Sequence, residues 1–295
     1  MTIIDSTTHT LEVPGASLTY DVRPATAGAE ARHTPVLMLI GSPMGAAGFG
    51  TLASHFPDRT VVTYDPRGAE RSSKSDPSTE STPEQHAEDV SRIIAALGAG
   101  PVDLFASSGG AVNALALVAA HPDQVLTLVA HEPPLASQLP DSEAALAATE
   151  AIAASYQRAG FGAGMAHFIA VVSHRGPMTL EFATQPGPDP AMFGMPTDDD
   201  GNRTDPMLFQ NILTCARYQP DYEALRRAST RIVIAVGAES DGEMTARAAV
   251  AVAERLGTDP VVFPSGHGGF LGGEYGQSGE PAAFATKLRE VLASV

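Results

Sequence analysis

The sequence has a single cysteine and few basic residues, and each shortage excludes a class of protein. Cys215 is the only cysteine among 295 residues, so no disulfide can form within the chain. Lysine and arginine number 18 against 34 aspartates and glutamates, which gives a formal net charge of -16. Nucleic acids and anionic membranes bind basic surfaces. We therefore expect a small-molecule substrate as the partner, and neither a nucleic acid nor a membrane.

Long apolar segments are also missing. No run of about 18 apolar residues occurs, and the first residues, Met1–Asp5, have neither the basic nor the apolar region of a secretory signal. The sequence thus predicts a cytoplasmic protein, and it leaves a homodimer open. Hydrophobic residues make up 43% of the chain and charged residues 18%, as is typical of a compact globular protein.

What is present is an alternation of apolar strands and helices. A predicted hairpin over residues 11–22 is followed by continuous apolar runs, which are typical of strands buried on both faces of a parallel sheet. A helix predicted over Pro83–Leu97, with Thr82 as its cap, lies between two of these runs. The pattern favours an α/β fold with a doubly wound, mostly parallel sheet. The runs are Val36–Ile40, Val61–Tyr64, Val102–Ala106 and Val125–Ala130.

The strand pattern stops after the fourth run and resumes at Arg231–Val236. The intervening residues contain alanine-rich helical segments, Ser142–Ala159 and Gly164–Ser173, and a loop rich in Pro, Gly and Asp. We therefore predict a core made of residues 1–132 and 228–295. Residues 133–227 are predicted to form a helical lid inserted into that core.

A short segment rich in serine and glycine, Ala106–Gly110, lies between the third apolar run and a predicted helix. A nucleophile elbow places its nucleophile on a sharp strand-to-helix turn, which requires small residues two positions before and two positions after it. Ser108 has Ala106 and Gly110 at these positions, whereas Ser107 would have the bulky Phe105 two positions before it. Ser108 is therefore the predicted nucleophile.

This segment resembles the elbow of the α/β-hydrolase family, with Ala106 where glycine is commoner. The resemblance implies that His267, in a glycine-rich loop after the predicted strand Pro260–Phe263, is the general base, because histidine can accept a proton at neutral pH. It also implies an oxyanion hole formed by the backbone N–H groups of Gly109 and Ser42. The family often has histidine where Ile40 stands, and Met44 or Gly45 could donate instead of Ser42.

The acid that would orient His267 has three candidates. The usual family position follows the strand Arg231–Val236, where Glu239 and Asp241 flank the expected slot, which Ser240 occupies. Glu132 follows the run Val125–Ala130, and haloalkane dehalogenases and zearalenone lactonases look similar in carrying their acid there. We favour Glu132, with Asp241 and Glu239 as the alternatives. A further loop resembles a family motif, and its Asp65 and Arg67 are interpreted as structural.

A serine nucleophile, a histidine base and an oxyanion hole together indicate acyl transfer. The sequence therefore predicts a serine hydrolase that cleaves an ester or lactone of a small, largely apolar substrate. Candidate substrate-binding residues are Met44, Phe168 and Met195. A serine at the elbow argues against epoxide hydrolases and dehalogenases, and the absence of tryptophan also argues against dehalogenases.

Alternatives remain within and outside this chemistry. A thioesterase or a carbon–carbon bond hydrolase would use the same catalytic residues, and a binding protein with this fold would keep the pocket without turnover. No dinucleotide-binding or phosphate-binding glycine motif occurs, and no residues have metal-ligand spacing. No cofactor and no metal are therefore expected.

Overall fold

The computed structural model describes residues 6–26, 34–76, 78 and 80–294. The prediction that no secretory signal is present was based on Met1–Asp5, which lie outside the described residues. Within these ranges nine strands form one sheet: β1 (Thr7–Val13), β2 (Ala16–Arg23), β3 (Leu37–Ile40), β4 (Val61–Tyr64), β5 (Ser73–Lys74), β6 (Val102–Ser107), β7 (Val125–His131), β8 (Arg231–Gly237) and β9 (Val261–Phe263). The α-helices are α1 (Gly50–Ser54), α2 (Pro83–Leu97), α3 (Gly109–Ala120), α4 (Ser142–Val172), α5 (Leu180–Ala183), α6 (Ile212–Arg217), α7 (Tyr222–Arg227), α8 (Met244–Leu256) and α9 (Pro281–Ala293). None of the helices in the described ranges is long and apolar enough to cross a membrane.

The strand order is β1-β2-β4-β3-β6-β7-β8-β9, with β5 beside β2. The pairs of β2 with β1, β4 and β5 are antiparallel, and the six strands from β4 to β9 in this order are parallel. The chain passes from β3 to β4 on one side and then returns to β6 on the other side. Ligands of open α/β sheets bind beyond the carboxyl ends of the strands at such a reversal. The loops after β3 and β6 therefore flank the predicted site.

The predicted doubly wound, mostly parallel sheet is confirmed. Every residue of β3 and β6 is buried, as expected for continuous apolar runs covered on both faces. The predicted helix α2 begins at a capping box, in which the side chains of Thr82 and Gln85 each accept a bond from the other's backbone N–H. It ends at Gly98, whose φ of 61° is left-handed.

Between β7 and β8, a stretch that the structure describes throughout, the chain forms helices and loops and no strand. The two helices predicted over Ser142–Ala159 and Gly164–Ser173 belong to one element, α4, whose helical geometry is interrupted at Ala159 and Gly160. Gly160 has a φ of 82° and lies against Asp199, so a β-carbon there would be 2.5 Å from a carboxylate oxygen. Helices α6 and α7 lie outside the segments predicted to be helical.

Asp65 and Arg67 lie where a structural role was predicted, and both are buried. Arg67 donates from Nε and Nη2 to the two carboxylate oxygens of Asp89, at 2.7 Å each, a bidentate geometry that strengthens an ion pair. Asp65 accepts bonds from the backbone N–H of Ala46 at 2.8 Å and from Nε of Arg71 at 2.5 Å. The bond from Ala46 attaches the loop after β4 to the segment that follows β3, whereas the bond from Arg71 lies within that loop.

His131, the last residue of β7, is fully buried beneath the carboxyl edge of the sheet. Its Nδ1 lies 3.1 Å from Oγ of Ser107, and its Nε2 has no hydrogen-bond partner among the described residues. Burial lowers the pKa of His131 to about 4, so the ring is neutral at physiological pH. The surrounding aromatic layer has ring centroids 5.4 to 6.4 Å away and consists of Phe105, Phe263, Phe270 and Phe284.

The free energy of unfolding is expected to fall as the pH drops from 6.5 towards 4. Burial lowers the pKa of both His86 and His131 from 6.5 to about 4. In this window the unfolded chain binds protons that the folded chain does not, so stability is lost on acidification. His131→Phe keeps a ring in the aromatic layer and should reduce the slope by up to ~1.4 kcal/mol per pH unit, as measured by urea denaturation between pH 4 and pH 7. An unchanged slope in this variant would show that His131 is not held neutral.

Candidate active site

Ser108 lies on a sharp turn between β6 and α3. Its φ of 57° and ψ of -129° place a non-glycine residue in a sparsely populated backbone region, and such strain clusters at functional sites. Its backbone N–H donates to the carbonyl oxygen of His131 at 2.9 Å, and its own carbonyl oxygen accepts the first helical bond, from Ala111. The side chain of Ser108 is partly exposed at the carboxyl edge of the sheet.

The two glycines after Ser108 allow the elbow to approach the loop after β3. A β-carbon on Gly110 would lie 2.7 Å from the carbonyl oxygen of Ile40, and one on Gly109 would lie 2.5 Å from that of Ser42. Both contacts are with backbone atoms, which cannot move aside as a flexible side chain can. The small side chains at these positions therefore allow the backbones of Gly109 and Ser42 to lie close together, and both residues line the same cavity as Ser108.

Glu132 follows β7 directly, and its φ of 47° turns the chain away from the strand direction. Its carboxylate is fully buried and accepts three hydrogen bonds. Oε1 accepts from the backbone N–H of Gly237 at 2.8 Å. Oε2 accepts from Oγ1 of Thr245 at 3.1 Å and from Nδ1 of His267 at 2.5 Å.

The electrostatics of this contact fix the tautomer of His267. Burial by itself raises the pKa of Glu132, but the hydrogen bond from His267 and the bond from Gly237 lower it to about 2. Glu132 is therefore ionised at neutral pH and can only accept hydrogen bonds. Nδ1 of His267 must then carry the proton, which leaves Nε2 as the nitrogen with a free lone pair. The histidine side chain is 36% exposed and lines the cavity that Ser108 lines.

The two alternative acids lie on the protein surface. Glu239 is exposed and accepts a bond from Oγ of Ser265 at 3.3 Å. Asp241 is also exposed, and its backbone carbonyl oxygen accepts from Arg175 at 2.7 Å. Among the described hydrogen bonds, neither carboxylate contacts His267. Of the three candidate acids, the structure brings only Glu132 to the histidine within the described residues.

A cavity of about 370 Å³ opens above Ser108. The core contributes its polar floor, and the segment between β7 and β8 contributes most of its apolar wall. The described lining residues are Ser42, Pro43, Ser108, Gly109, Pro134, Thr149, Ile152, Phe168, Val171, Val172, Ser173, Met207, Asn211, Ile212, Cys215, Ala216, Glu243, Met244, Thr245, His267 and Gln277.

Of the three predicted substrate-binding residues, Phe168 lines this cavity and the other two do not, within the described lining. Met44 packs into the lower core instead, because its side chain fills the space beside Gly48, where a β-carbon would lie 2.4 Å from its sulfur. Met195 is half-buried and follows the helical turn Pro190–Phe193, outside the cavity wall. The predictions for Met44 and Met195 were therefore wrong about cavity contact.

Gly237, Thr245 and Cys215 are among the residues of the site that were not predicted. Thr245 and Gly237 donate to Glu132, and only the parallel register that pairs His131 with Ala235 shows that β8 ends beside β7. Cys215 lines the cavity next to Gly109, and burial raises the pKa of its thiol to about 12, so it is a neutral wall residue. The described residues include no group of three or more His, Cys, Asp or Glu placed to hold a metal ion.

Comparisons with known proteins agree with this architecture. The family model described as the alpha/beta hydrolase fold matches residues 34–177. YraK, an uncharacterized hydrolase of Bacillus subtilis (strain 168), is 30% identical over 269 residues, which span 88% of this chain and 89% of that protein.

Solved structures are similar over nearly the whole chain. The enol-lactonase from Burkholderia xenovorans LB400 has a TM-score of 0.66 at 17% identity, over 97% of this chain and 100% of that one. A thermophilic esterase from Thermogutta terrifontis has a TM-score of 0.64 at 19% identity, over 98% of each chain. The resemblance first indicated by the serine elbow is thus confirmed, and the chain belongs to the α/β-hydrolase fold family.

Proposed function

We propose that this protein is a serine hydrolase that cleaves a carboxylic ester or lactone through Ser108, His267 and Glu132. One observation carries the proposal: Nδ1 of His267 lies 2.5 Å from a buried, ionised Glu132, while the same imidazole shares a cavity with the elbow serine. A histidine oriented by a carboxylate beside a strained serine is the arrangement that activates a hydroxyl as a nucleophile. The family and its hydrolase relative support hydrolase activity in general.

In the first half of the reaction, Nε2 of His267 accepts the proton of the Ser108 hydroxyl as Oγ attacks the carbonyl carbon of the substrate. The carbonyl π electrons move onto oxygen, and the backbone N–H groups of Gly109 and Ser42 stabilise that oxyanion. Each such donor contributes about 3 kcal/mol to the transition state. His267 then returns its proton to the leaving oxygen as the carbon–oxygen bond breaks, and an acyl-enzyme remains on Ser108.

In the second half, His267 removes a proton from a water molecule, which attacks the acyl carbon. The tetrahedral intermediate collapses with release of the carboxylic acid, and Ser108 regains its proton from the imidazolium. Glu132 stabilises the imidazolium in both halves, because its carboxylate stays ionised. Thr245 and Gly237 act as positioning residues, since they hold the carboxylate that holds His267.

The apolar part of the cavity supports a hydrophobic acyl group or ring. Ile152, Phe168 and Val171 of α4 line the cavity together with Ser108 and His267, and apolar walls with a few polar groups are typical of small-molecule sites. We propose that residues 133–227 act as the lid that determines substrate shape. The esterase and the enol-lactonase show by their likeness only a common fold, so the choice of ester or lactone rests on the cavity and the catalytic residues.

Loss of the nucleophile and of the acid should abolish turnover, whereas loss of a surface acid should not. We expect Ser108→Ala and Glu132→Gln each to lower kcat by at least ~10³-fold. The kcat of Asp241→Asn should stay within about twofold of the wild type, because the carboxylate of Asp241 is exposed. The measurement is hydrolysis of p-nitrophenyl esters and lactones of graded chain length. Circular dichroism of each variant controls for folding.

A fluorophosphonate label, detected by intact mass, separates the possible failures. Labelling of Ser108 without turnover of any ester or lactone would mean that the nucleophile is active and the substrate class is wrong. Neither labelling nor turnover would overturn the hydrolase proposal. A large loss of activity in Asp241→Asn but not in Glu132→Gln would instead assign the acid to Asp241.

Gly237→Ala should weaken catalysis through the backbone. A β-carbon at Gly237 would lie 2.8 Å from backbone atoms of Gly266 and Ser265, so the loop that carries His267 must shift. Displacements of about 1 Å cost on the order of 100-fold in rate, and we expect a fall in kcat of that size. Gly266→Ala is the matched control, because its β-carbon would have no neighbour closer than 3.6 Å. Equal activities of the two variants would contradict this account of the loop.

A further inference from the structure

The cavity wall is asymmetric in charge. Among its described lining residues there is one carboxylate, Glu243, and no lysine or arginine. The second carboxylate of the site, Glu132, is fully buried behind His267, and the thiol of Cys215 is neutral because burial raises its pKa to about 12. The two formal charges at the described cavity, on Glu243 and Glu132, are thus both negative. In the proposed reaction the imidazole of His267 gains a positive charge.

Glu243 lies on the same side of the cavity as the acid–base pair. It occupies the N-cap position of α8, where its side chain makes no capping hydrogen bond, and it lies two residues before Thr245, whose hydroxyl donates to Glu132. Its backbone N–H donates to the carbonyl oxygen of Ser240 at 3.0 Å, which fixes the loop on which it sits. Helix α4 supplies apolar side chains to the same cavity, among them Ile152, Phe168 and Val171. In the mechanism proposed above His267 delivers its proton to the leaving oxygen, so we expect the leaving-group half of an ester on the side of the cavity that holds His267 and Glu243.

The cation that pairs with Glu243 is an exposed arginine outside the described cavity lining. Nη2 of Arg175 lies 2.8 Å from Oε1 of Glu243, and the guanidinium also donates to the backbone carbonyl oxygens of Glu239 and Asp241. The Arg175 side chain is 55% exposed against 23% for Glu243, and Arg175 is not among the described lining residues. Water and salt screen an exposed charge more strongly than a half-buried one. Arg175 therefore compensates the carboxylate from outside the described lining, and Glu243 remains the carboxylate that lines the cavity.

We propose that Glu243 is a specificity-determining residue that selects substrates by the charge of the leaving group. An ester whose alcohol carries an ammonium group is favoured over an uncharged ester of the same shape, and one whose alcohol carries a carboxylate is disfavoured. The proposal rests on the serine-hydrolase function proposed above. It assigns the acyl group to the apolar wall and the alcohol to the acidic side.

The test uses three butyrate esters of similar shape, with kcat/KM measured at low ionic strength in a pH-stat. Their alcohols are 2-(trimethylammonio)ethanol, the uncharged 3,3-dimethylbutanol, and the anionic 4-hydroxy-2,2-dimethylbutanoate. We expect about a tenfold step in kcat/KM between successive members, in the order cationic, uncharged, anionic, as one charge interaction at intermediate dielectric allows. Added salt should compress the series.

Two acid variants separate the role of Glu243 from general acidity of the chain. Glu243→Gln keeps the shape and a bond to Arg175, and it should bring the three rates to within about threefold of each other. Glu239→Gln removes an exposed carboxylate from the same loop, outside the described lining, and should leave the tenfold steps unchanged. Arg175→Gln removes the compensating cation and should widen the steps.

The outcomes are distinguishable. If the wild type hydrolyses all three esters at equal rates, the inference is overturned and the hydrolase function stands. The same holds if Glu243→Gln keeps the order of rates of the wild type. Turnover of none of these esters, nor of the p-nitrophenyl esters, together with no fluorophosphonate label on Ser108, overturns the proposed function and the inference with it. A reversed order, with the anionic ester fastest, would also overturn the inference.

Discussion

A buried carboxylate that has lost its water must find several donors, and this constraint on Glu132 organises the catalytic side of the molecule. Removing a carboxylate from water costs several kcal/mol unless hydrogen bonds replace the solvent. The three donors come from separate segments: Gly237 at the end of β8, Thr245 in the first turn of α8, and His267 in the loop after β9. The segments that Glu132 needs for its own solvation are thereby held at the positions that orient the imidazole.

The strained residues of the chain show where this constraint acts. Three of the five described non-glycine residues with positive φ follow parallel strands: Ser108 directly after β6, Glu132 directly after β7, and Ser265 two positions after the end of β9. Each turns the chain sharply at the carboxyl edge of the sheet. Two adjacent residues also differ in ionisation: His131 is neutral in the aromatic layer, whereas Glu132 beside it is ionised. Strain in such positions persists only when the surrounding packing determines it.

Local sequence signals were sufficient for part of this arrangement. The apolar runs predicted the parallel strands, and the small residues around Ser108 predicted the elbow, because both depend on neighbours within a few positions. The acid was left among Glu132, Asp241 and Glu239, because the choice depends on which loops meet across the register of β7 and β8. Gly237 and Thr245 carry no local signal, since a glycine at a strand end and a threonine in a helix have many ordinary roles.

The segment between β7 and β8 was the least predictable from sequence, for a related physical reason. Methionine and phenylalanine at helical spacing fill gaps in any core, so the pattern could not distinguish Phe168, which lines the cavity, from Met195, which does not. The core and the helices between β7 and β8 also meet different requirements of the candidate site. The core supplies the groups whose positions the chemistry constrains within about 0.5 Å, whereas the inserted helices supply an apolar surface on which many side chains are interchangeable. In the proposed function, substrate shape can change through α4 and α6, which supply none of the three described donors to Glu132. The proposed selection by leaving-group charge involves the core side instead, where Glu243 lies two residues from one of those donors, Thr245.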